Sequence, residues 1–461
     1  MEQGRGQWSS RTGFILAAAG SAIGLGNLWK FPYITWHNNG GAFVLVYLVC
    51  IVAVGLPIMM TEVLIGRRAQ RSAVGAMRAA AGPLWSWVGG LGVATGFILL
   101  GYYTVVAGWT FRYIFKTLQW STGGYTPGTS SGEAFSQFVS TGSIQVLLAG
   151  AFMGLTVAVN YAGVSKGIER AARVLMPALL AILGLMLVTS LTMKGSGEAL
   201  RFIFTPDFSE LPARGILEAL GHSFFTLSLG MGAMITYGSY MSRKQSVVKA
   251  SVAIVVLDTV IAIVATIIMF SVIFSQAGLR ESISGSTAGM LFITLPELFY
   301  TAVPLGTILA PLFYVLVAFA ALTSTISILE VIIAYFIDEK NWSRHKASLV
   351  CGSACFALTV LCALSLGAWG QLSSFEIFAG KQGLFANLDH LVANWMLPVG
   401  GFFITMVAGW IMTREATKKE LVDETTPRWF HFGVWRIFIR FVAPGAVAAI
   451  IIAVLRGADF S

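Results

Sequence analysis

The sequence predicts an all-α polytopic membrane protein with about eleven transmembrane helices, and three observations support this prediction. Of its 461 residues, 56% are hydrophobic and only 11% are charged, with a mean hydropathy of +0.78. Apolar segments recur along the whole chain, with the roughly 20 residues that a helix needs to cross a bilayer. Two of these segments contain glycine-rich breaks. No soluble domain has this balance of residues.

Eleven apolar segments are separated by clusters of Lys and Arg or by loops rich in Gly, Ser, Thr and Pro. We expect a gate segment at 1–11, a first five-helix repeat at 12–191, a second at 214–412 and an additional helix at 436–455. The individual helices are expected near residues 12–36, 41–66, 86–116, 143–160, 168–191, 214–241, 247–274, 303–337, 346–366, 388–412 and 436–455.

The first and sixth helices each contain a break. These breaks are Gly20–Asn27 (GSAIGLGN) and Thr226–Gly232 (TLSLGMG). A glycine inside a helix costs roughly 1 kcal/mol relative to alanine, and unwound backbone in lipid leaves N–H and C=O groups without partners. Two helices unwound at the bilayer midplane, in matching positions of two halves, indicate the binding site of a secondary transporter. Because each half has five helices, we expect a 5+5 inverted repeat.

Most of the lysines and arginines lie in alternate loops, after the even-numbered helices. Because cytoplasmic loops carry the excess of positive charge, the N-terminus is expected in the cytoplasm and the C-terminus outside. The net charge of +9 is therefore assigned to membrane topology and not to a nucleic-acid partner. The cysteines and histidines show no metal spacing, and no paired carboxylates or Ser/His constellation is present. We therefore predict no catalytic residues and no enzymatic activity.

Asp258 is a carboxylate in the middle of the seventh apolar segment. An Asp at the centre of a membrane helix costs roughly 2.5–3.5 kcal/mol, so it needs a cation or hydrogen-bond donors. Asn27 and the broken backbone offer oxygen ligands of the kind that small hard cations take. One interpretation is an ion site, and the other is a hydrogen bond to a neighbouring helix.

Two further groups of polar side chains in apolar helices allow two interpretations each. The hydroxyls of Thr323, Ser324 and Thr325 either bond back to their own backbone or line an ion site. Glu62 and Glu330 lie near the inner ends of their helices. They are either solvated or cap free N–H groups of the broken helices.

Several long motifs, in the same order, resemble the neurotransmitter:sodium symporters, especially the bacterial branch that transports hydrophobic amino acids. The resemblance extends from the N-terminal segment to the tenth helix. It implies the inverted-repeat fold of that family and a multi-pass protein of the bacterial inner membrane. The motifs are Gly20–Pro32 (GSAIGLGNLWKFP), Phe224–Gly232 (FFTLSLGMG), Ala320–Ser324 (AALTS), Trp8 after Arg5, and Glu62 four residues before Gly66.

The resemblance implies two sodium sites and one substrate site. The substrate carboxylate would meet the N–H groups of Leu25 and Gly26 and the Tyr103 hydroxyl, at the N-terminal end of a half helix. The first sodium site would use Ala22, Asn27, Thr226 and Asp258, and the second Gly20, Ile23, Ala320, Thr323 and Ser324. The substrate site would use Ala22, Gly24, Leu25, Gly26, Leu99, Tyr103, Phe225, Thr226, Ser228, Met231, Ser324 and Ile328.

Four residues depart from the family pattern. Asp258 replaces the usual Asn, and its fixed charge predicts that no chloride is needed. Gly24 replaces the Asp of the monoamine transporters, which predicts an α-amino acid as substrate. Met231 replaces an aromatic residue, and Met adapts to different shapes. Since the expected pocket has no charge, we predict hydrophobic and aromatic L-amino acids: leucine, isoleucine, valine, methionine, phenylalanine, tyrosine and tryptophan. Lys30 replaces the gate Arg and is expected to pair with Asp389 as a point charge.

The resemblance also implies gates at both ends of the site. Gly167 and Pro177, at the inner end of the fifth helix, either let that end fray to admit water to the second sodium site or form an ordinary proline kink. The outer gate would be Lys30 with Asp389, and the inner gate Arg5 with Asp338, assisted by Trp8 and Tyr240.

The predicted function is therefore a chloride-independent symporter that imports hydrophobic and aromatic L-amino acids with sodium by alternating access. Coupling would follow from the different affinities of each ligand for the outward and inward states. The alternative is a proton-coupled amino-acid symporter in which Asp258 titrates. A non-transporting amino-acid receptor would need a cytoplasmic partner-binding domain, and the longest inner loop, at 413–436, is too short for one.

Overall fold

The computed structural model describes residues 6–127, 130–275 and 287–460. Within these ranges the chain forms helices joined by turns and loops, without a β-strand. By length and hydropathy nine of these helices are able to cross a membrane, or ten if one bent pair is counted as a single span. The predicted all-α polytopic fold class is therefore confirmed.

The helices are labelled α1 to α11 in chain order, with the two broken ones divided into halves a and b. Their bounds are Arg11–Ala22 (α1a), Gly26–His37 (α1b), Gly41–Ala69 (α2), Pro83–Gly124 (α3), Gly142–Tyr161 (α4), Val164–Leu191 (α5), Ala213–Thr226 (α6a), Ala233–Ser239 (α6b), Val247–Ile273 (α7), Gly306–Lys340 (α8), Arg344–Leu364 (α9), Leu384–Ile411 (α10) and Phe432–Leu455 (α11).

Both breaks lie where the glycines predict them. The axes of α1a and α1b meet at an angle of 52°. Between α6a and α6b the backbone enters the left-handed region, with φ values of 52° at Ser228, 86° at Gly230 and 76° at Gly232. Because this break divides the sixth apolar segment into helices of 14 and 7 residues, length and hydropathy do not count it as a span.

The centre of the bundle is formed by α8, on which the broken helix α1 packs. In its most apolar window 94% of the α8 residues are buried inside the protein, against 28% for α5. α8 makes its most extensive contacts with α3, and α1a contacts α5, α7 and α8. The unwound backbone of α1 is thus shielded from lipid by other helices, as an interrupted membrane helix requires.

Glycines allow α2 and α6b to pack backbone against backbone. A Cβ atom at Gly66 would lie 1.9 Å from the carbonyl oxygen of Ile235, and one at Gly238 would lie 2.7 Å from that of Val63. Small residues at such positions let membrane helices approach closely. This contact fixes α6b and therefore one side of the break that precedes it.

Helices also occur in connections that hydropathy does not mark as spans. They are short, and one of them, Met290–Thr301, is apolar. The ring of Phe292 in that helix packs against Trp29 and Trp109, so the helix lies near the start of α1b. The other helices of this kind include Ala73–Ala81, Ser130–Ser140, Ser196–Phe204, Gly370–Ser373 and Arg414–Leu421.

Candidate functional site

The unwound residues between α1a and α1b present backbone N–H groups inside the bundle. The N–H of Gly24 donates to Asn27 Oδ1 at 3.1 Å, and the N–H of Leu25 donates to the Tyr103 hydroxyl at 3.2 Å. A Cβ atom at Gly24 would lie 2.7 Å from Ser324 Oγ. The break therefore places α1 against Tyr103 of α3 and Ser324 of α8.

A small central cavity lies at this point, and all twelve residues predicted for the substrate site line it. Ser21 and Leu397 line it as well and were not predicted. Ser21 belongs to the glycine-rich motif, whereas Leu397 has no distinguishing pattern in the apolar segment of α10. None of the lining residues carries a charge, so the cavity suits an apolar side chain. Their role in binding stays a prediction.

Three polar side chains from three helices meet beside the central cavity. Asn27 Nδ2 donates to Asp258 Oδ1 at 2.8 Å, and Thr226 Oγ1 lies 3.2 and 3.1 Å from the two carboxylate oxygens. Each of these residues is at most 1% exposed. Among the ion pairs between described residues, none includes Asp258. The hydrogen-bond interpretation thus applies to this carboxylate, but it leaves the negative charge without a cationic side chain.

The donor set of this cluster fits a small hard cation. Carboxylate, amide, hydroxyl and carbonyl oxygens are the ligands that such cations take. In the described ranges, no group of three or more His, Cys, Asp or Glu side chains could hold a metal ion. The polar side chains that contact Asp258, those of Asn27 and Thr226, are neutral. A cation at this point would bind the lone pairs of the Asp258 carboxylate, which now accept hydrogen bonds from Asn27 and Thr226.

The five residues of the predicted second sodium site lie along the contact of α1 with α8. A Cβ atom at Gly20 would lie 3.0 Å from Thr323 Cβ. Ser324 Oγ lies 3.4 Å from the carbonyl oxygen of Ser21, while Thr323 Oγ1 bonds back to the Ala320 carbonyl at 3.0 Å. Ile23 follows α1a directly as its C-cap. Thr325 faces elsewhere and contacts the Thr156 hydroxyl of α4 at 2.9 Å.

Glu62 and Glu330 are both buried but have different roles. Glu62 Oε1 accepts from the N–H of Gly230 at 2.7 Å, so it caps the unwound backbone before α6b. Glu330 accepts from the Tyr240 hydroxyl at 2.6 Å and forms an ion pair with Arg344 at 2.7 Å. Capping therefore applies to Glu62, whereas Glu330 belongs to a polar network with Tyr240 and Arg344.

The N-terminal segment packs on the end of the bundle that is predicted to face the cytoplasm. The Trp8 indole N–H donates to the Tyr237 carbonyl at 2.9 Å, and its backbone N–H donates to that of Tyr240 at 3.2 Å. Asp338 accepts from the N–H of Ser72 at 2.5 Å. Arg5, the predicted partner of Asp338, lies outside the described residues. Trp8 is 5% exposed, so this end of the site is covered.

The two predicted outer-gate residues line one outer cavity of about 150 Å³ without forming an ion pair among the described residues. The Lys30 ammonium instead donates to the carbonyl of Phe460 at 2.7 Å and lies 5.1 Å above the Phe225 ring. Asp389 lines the same cavity. Because Phe225 also lines the central cavity, Lys30 lies directly above the candidate substrate site.

The start of α5 contains the residues predicted to fray. Its first turn, Val164–Glu169, is wider than an α-helical turn and includes Gly167, where a Cβ atom would lie 2.0 Å from the Val159 carbonyl. Pro177 lies inside the helix. This geometry is compatible with fraying and with a simple kink, so both interpretations stay open.

A bundle of apolar helices in which two broken helices meet at a buried polar site defines a secondary transporter. The family model described as "Sodium:neurotransmitter symporter family" matches residues 5–131 and 130–458. The chain belongs to this family, and it is a multi-pass membrane transporter.

Relatives and a solved structure agree with this assignment. The "Uncharacterized sodium-dependent transporter YhdH" of Bacillus subtilis is 36% identical over 448 residues, which cover 97% of each chain. An "Uncharacterized sodium-dependent transporter" of Haemophilus influenzae is 29% identical over 462 residues, covering 97% of this chain and 98% of the relative. The crystal structure of MhsT in complex with L-phenylalanine matches with a TM-score of 0.87 at 39% identity, covering 98% of this chain and 100% of that chain. The resemblance read from the motifs is therefore confirmed, as is the inverted-repeat fold with unwound first and sixth helices.

Proposed function

We propose that this chain is a sodium-coupled symporter that imports hydrophobic and aromatic L-amino acids by alternating access and does not need chloride. The observation that carries the proposal is the buried Asp258 carboxylate, which contacts Asn27 and Thr226 beside an uncharged cavity. A buried carboxylate without a cationic side chain is stabilised by a cation. The relatives named as sodium-dependent transporters support sodium as that cation.

The substrate class follows from the lining of the central cavity. The N–H groups of Leu25 and Gly26 lie at the start of a half helix, where a carboxylate is favoured. Gly24 leaves no acidic side chain for an amine without a carboxylate, so the substrate has to bring its own. The absence of charge among the lining residues excludes charged side chains through their desolvation cost. L-phenylalanine, bound by the matching MhsT structure, belongs to the proposed class.

In the proposed cycle two sodium ions are transported as cargo. One binds at Asp258 together with the substrate carboxylate, and the other binds between α1 and α8. The fixed charge of Asp258 takes the place of a chloride ion. The protein lies in the bacterial inner membrane with its N-terminus in the cytoplasm. In this orientation, closure of the gate formed by Lys30 and Asp389 separates the site from the outside.

Uptake into proteoliposomes tests this proposal. We expect radiolabelled phenylalanine, leucine and tryptophan to accumulate under an inward sodium gradient, equally well when gluconate replaces chloride. Liposomes without protein, and protein with sodium on both sides, are the controls. Loss of uptake without chloride would contradict the role given to Asp258.

Proton coupling is the second candidate, because Asp258 is a titratable group buried at the site. The same proteoliposomes distinguish the two. If potassium replaces sodium and an inward proton gradient is imposed, a sodium symporter shows no accumulation. Accumulation that follows the proton gradient would make Asp258 a proton carrier.

Replacing Tyr103 with phenylalanine is expected to raise the KM for phenylalanine about 10-fold to 100-fold, because a hydrogen bond to a charged group contributes about 1.5–3 kcal/mol. Tyr103 donates to the substrate carboxylate in the proposed complex. Tyr113→Phe is the matched control. It removes the same atom from the same helix, but its hydroxyl lies outside the central cavity and has no hydrogen-bond partner among the described residues. Equal KM values for the two variants would contradict the assignment.

A further inference from the structure

The chain turns back across the outer end of the bundle after α11. The turn is at Gly457, whose φ is +93°. The N–H groups of Gly457 and Ala458 each donate to carbonyls of the last helical turn at 2.9 Å, which is the hydrogen-bond pattern of a Schellman cap. This cap directs Asp459 and Phe460 back over the helices. Residues 457–460 are called the strap below.

Asp459 is held by side chains from three parts of the bundle. Its carboxylate accepts from Asn394 Nδ2 at 2.9 Å and lies 3.4 Å from His390 Nδ1, both on α10. It also pairs with Lys381 in the loop before α10, and its carbonyl accepts from Arg214 of α6a at 3.2 Å. The strap is therefore anchored by charge as well as by the cap.

Phe460 connects the strap to the proposed outer gate. Its N–H donates to Asn394 Oδ1 at 2.8 Å, and its carbonyl accepts from Lys30 Nζ at 2.7 Å. Its ring packs on α6a, where a Cβ atom at Gly221 would lie 3.6 Å from it. One short segment thus bridges α1b, α6a and α10.

Lys30 lies between the strap and the candidate substrate site. It lines a cavity of about 460 Å³ that Asp459 and Phe460 also line, and it lines the outer cavity of about 150 Å³ that contains Asp389. Its ammonium group lies above Phe225, which lines both of these cavities and the central one. The position of this one side chain therefore depends on which acceptor holds it.

We propose that the strap is a part of the outer gate, in which the Phe460 carbonyl and the Asp389 carboxylate compete for the ammonium group of Lys30. The strap holds Lys30 away from Asp389 and so opposes closure over a bound substrate. This inference rests on the proposed function for its effect on substrate binding. The anchoring of Asp459 sets how readily the strap releases Lys30.

A chain that ends at Ala458 keeps the helix cap and loses the contacts of Asp459 and Phe460. We expect its Kd for radiolabelled phenylalanine in sodium to fall about threefold to tenfold, because Lys30 is free to pair with Asp389. Asp389→Asn should abolish this gain, so that the shortened and the full chain, both carrying this substitution, have equal Kd values. Arg456→Ala, at an exposed position before the strap, is the control. An unchanged Kd would overturn the proposal.

Thiol accessibility tests the strap without any substrate. Single cysteines are introduced at Ala393, which lines the cavity of about 460 Å³ beside the strap, and at Val106, which lines the outer cavity of about 150 Å³. With a charged, membrane-impermeant thiol reagent, shortening the chain should speed the reaction at position 393 and slow it at position 106. The parent chains without the new cysteines are the blanks. Unchanged reaction rates at both positions would overturn the role proposed for the strap in the outer gate. Failure of every chain to bind phenylalanine would instead overturn the proposed function.

Discussion

Asp258→Asn is expected to weaken sodium binding about 100-fold or more, because a unit charge at coordination distance contributes several kcal/mol even at an effective dielectric constant of about 20. The carboxylate is fully buried, and its contacts with Asn27 and Thr226 are hydrogen bonds that an amide can partly replace. The variant therefore keeps the shape of the site and loses its charge. Sodium titration of phenylalanine uptake at a fixed substrate concentration measures the loss.

Chloride is expected to restore part of the activity of Asp258→Asn, since an added anion supplies the charge that the side chain no longer provides. Uptake by this variant should fall when gluconate replaces chloride, whereas the unmodified chain should not respond. Asp207→Asn is the matched control, because it makes the same substitution at an exposed loop position. Wild-type sodium affinity in Asp258→Asn would rule out the carboxylate as a sodium ligand.

Gly230→Ala is expected to abolish folding or transport, with uptake below about a tenth of the unmodified chain. The φ of Gly230 is +86°, a conformation that costs other residues about 1–2 kcal/mol. In addition, the new Cβ atom would lie 2.3 Å from the Leu397 carbonyl oxygen and 3.2 Å from the backbone nitrogen of Gly401. Because these are backbone atoms of α10, they have little room to move, and overpacking adds about 1–3 kcal/mol.

The thermal midpoint of the purified protein separates the two causes of lost uptake in Gly230→Ala. We expect the Tm to fall by about 5 °C or more if the break no longer fits against α10. Gly154→Ala is the matched control, since Gly154 lies on α4, is exposed, and leaves a new Cβ atom with no neighbour within 4 Å among the described residues. A Gly230→Ala protein with unchanged Tm and uptake would show that α6 and α10 do not approach so closely.

Hydropathy predicts the helices well because a span needs only length and apolar composition. The expected segment at 303–337 corresponds to Gly306–Lys340, and the one at 143–160 corresponds to Gly142–Tyr161. α5 starts earlier than the expected residue 168, since the turn Val164–Glu169 contains polar residues that hydropathy does not count as helical. The sixth segment, expected near 214–241, is divided between α6a and α6b by its glycines.

The candidate site was predicted from motifs and resemblance more than from residue patterns. The substrate-site residues line one cavity, but Leu397 was missed because its only distinction is its position opposite the break in α6. The run Thr323–Thr325 also shows that sequence alone does not tell which side chains face the site. Its three hydroxyls are equivalent in sequence, and only packing directs Thr325 to α4 while Thr323 and Ser324 face α1.

The sequence alone therefore determined the class of protein, the helices and the two breaks, because apolar length and glycine content act locally along the chain. It also indicated that Asp258 needs a partner. Tertiary structure alone decided that Phe460, 430 residues away, holds Lys30, and that Glu62 caps the backbone at Gly230. Such contacts depend on how helices distant in sequence pack against each other, and no local pattern contains that information.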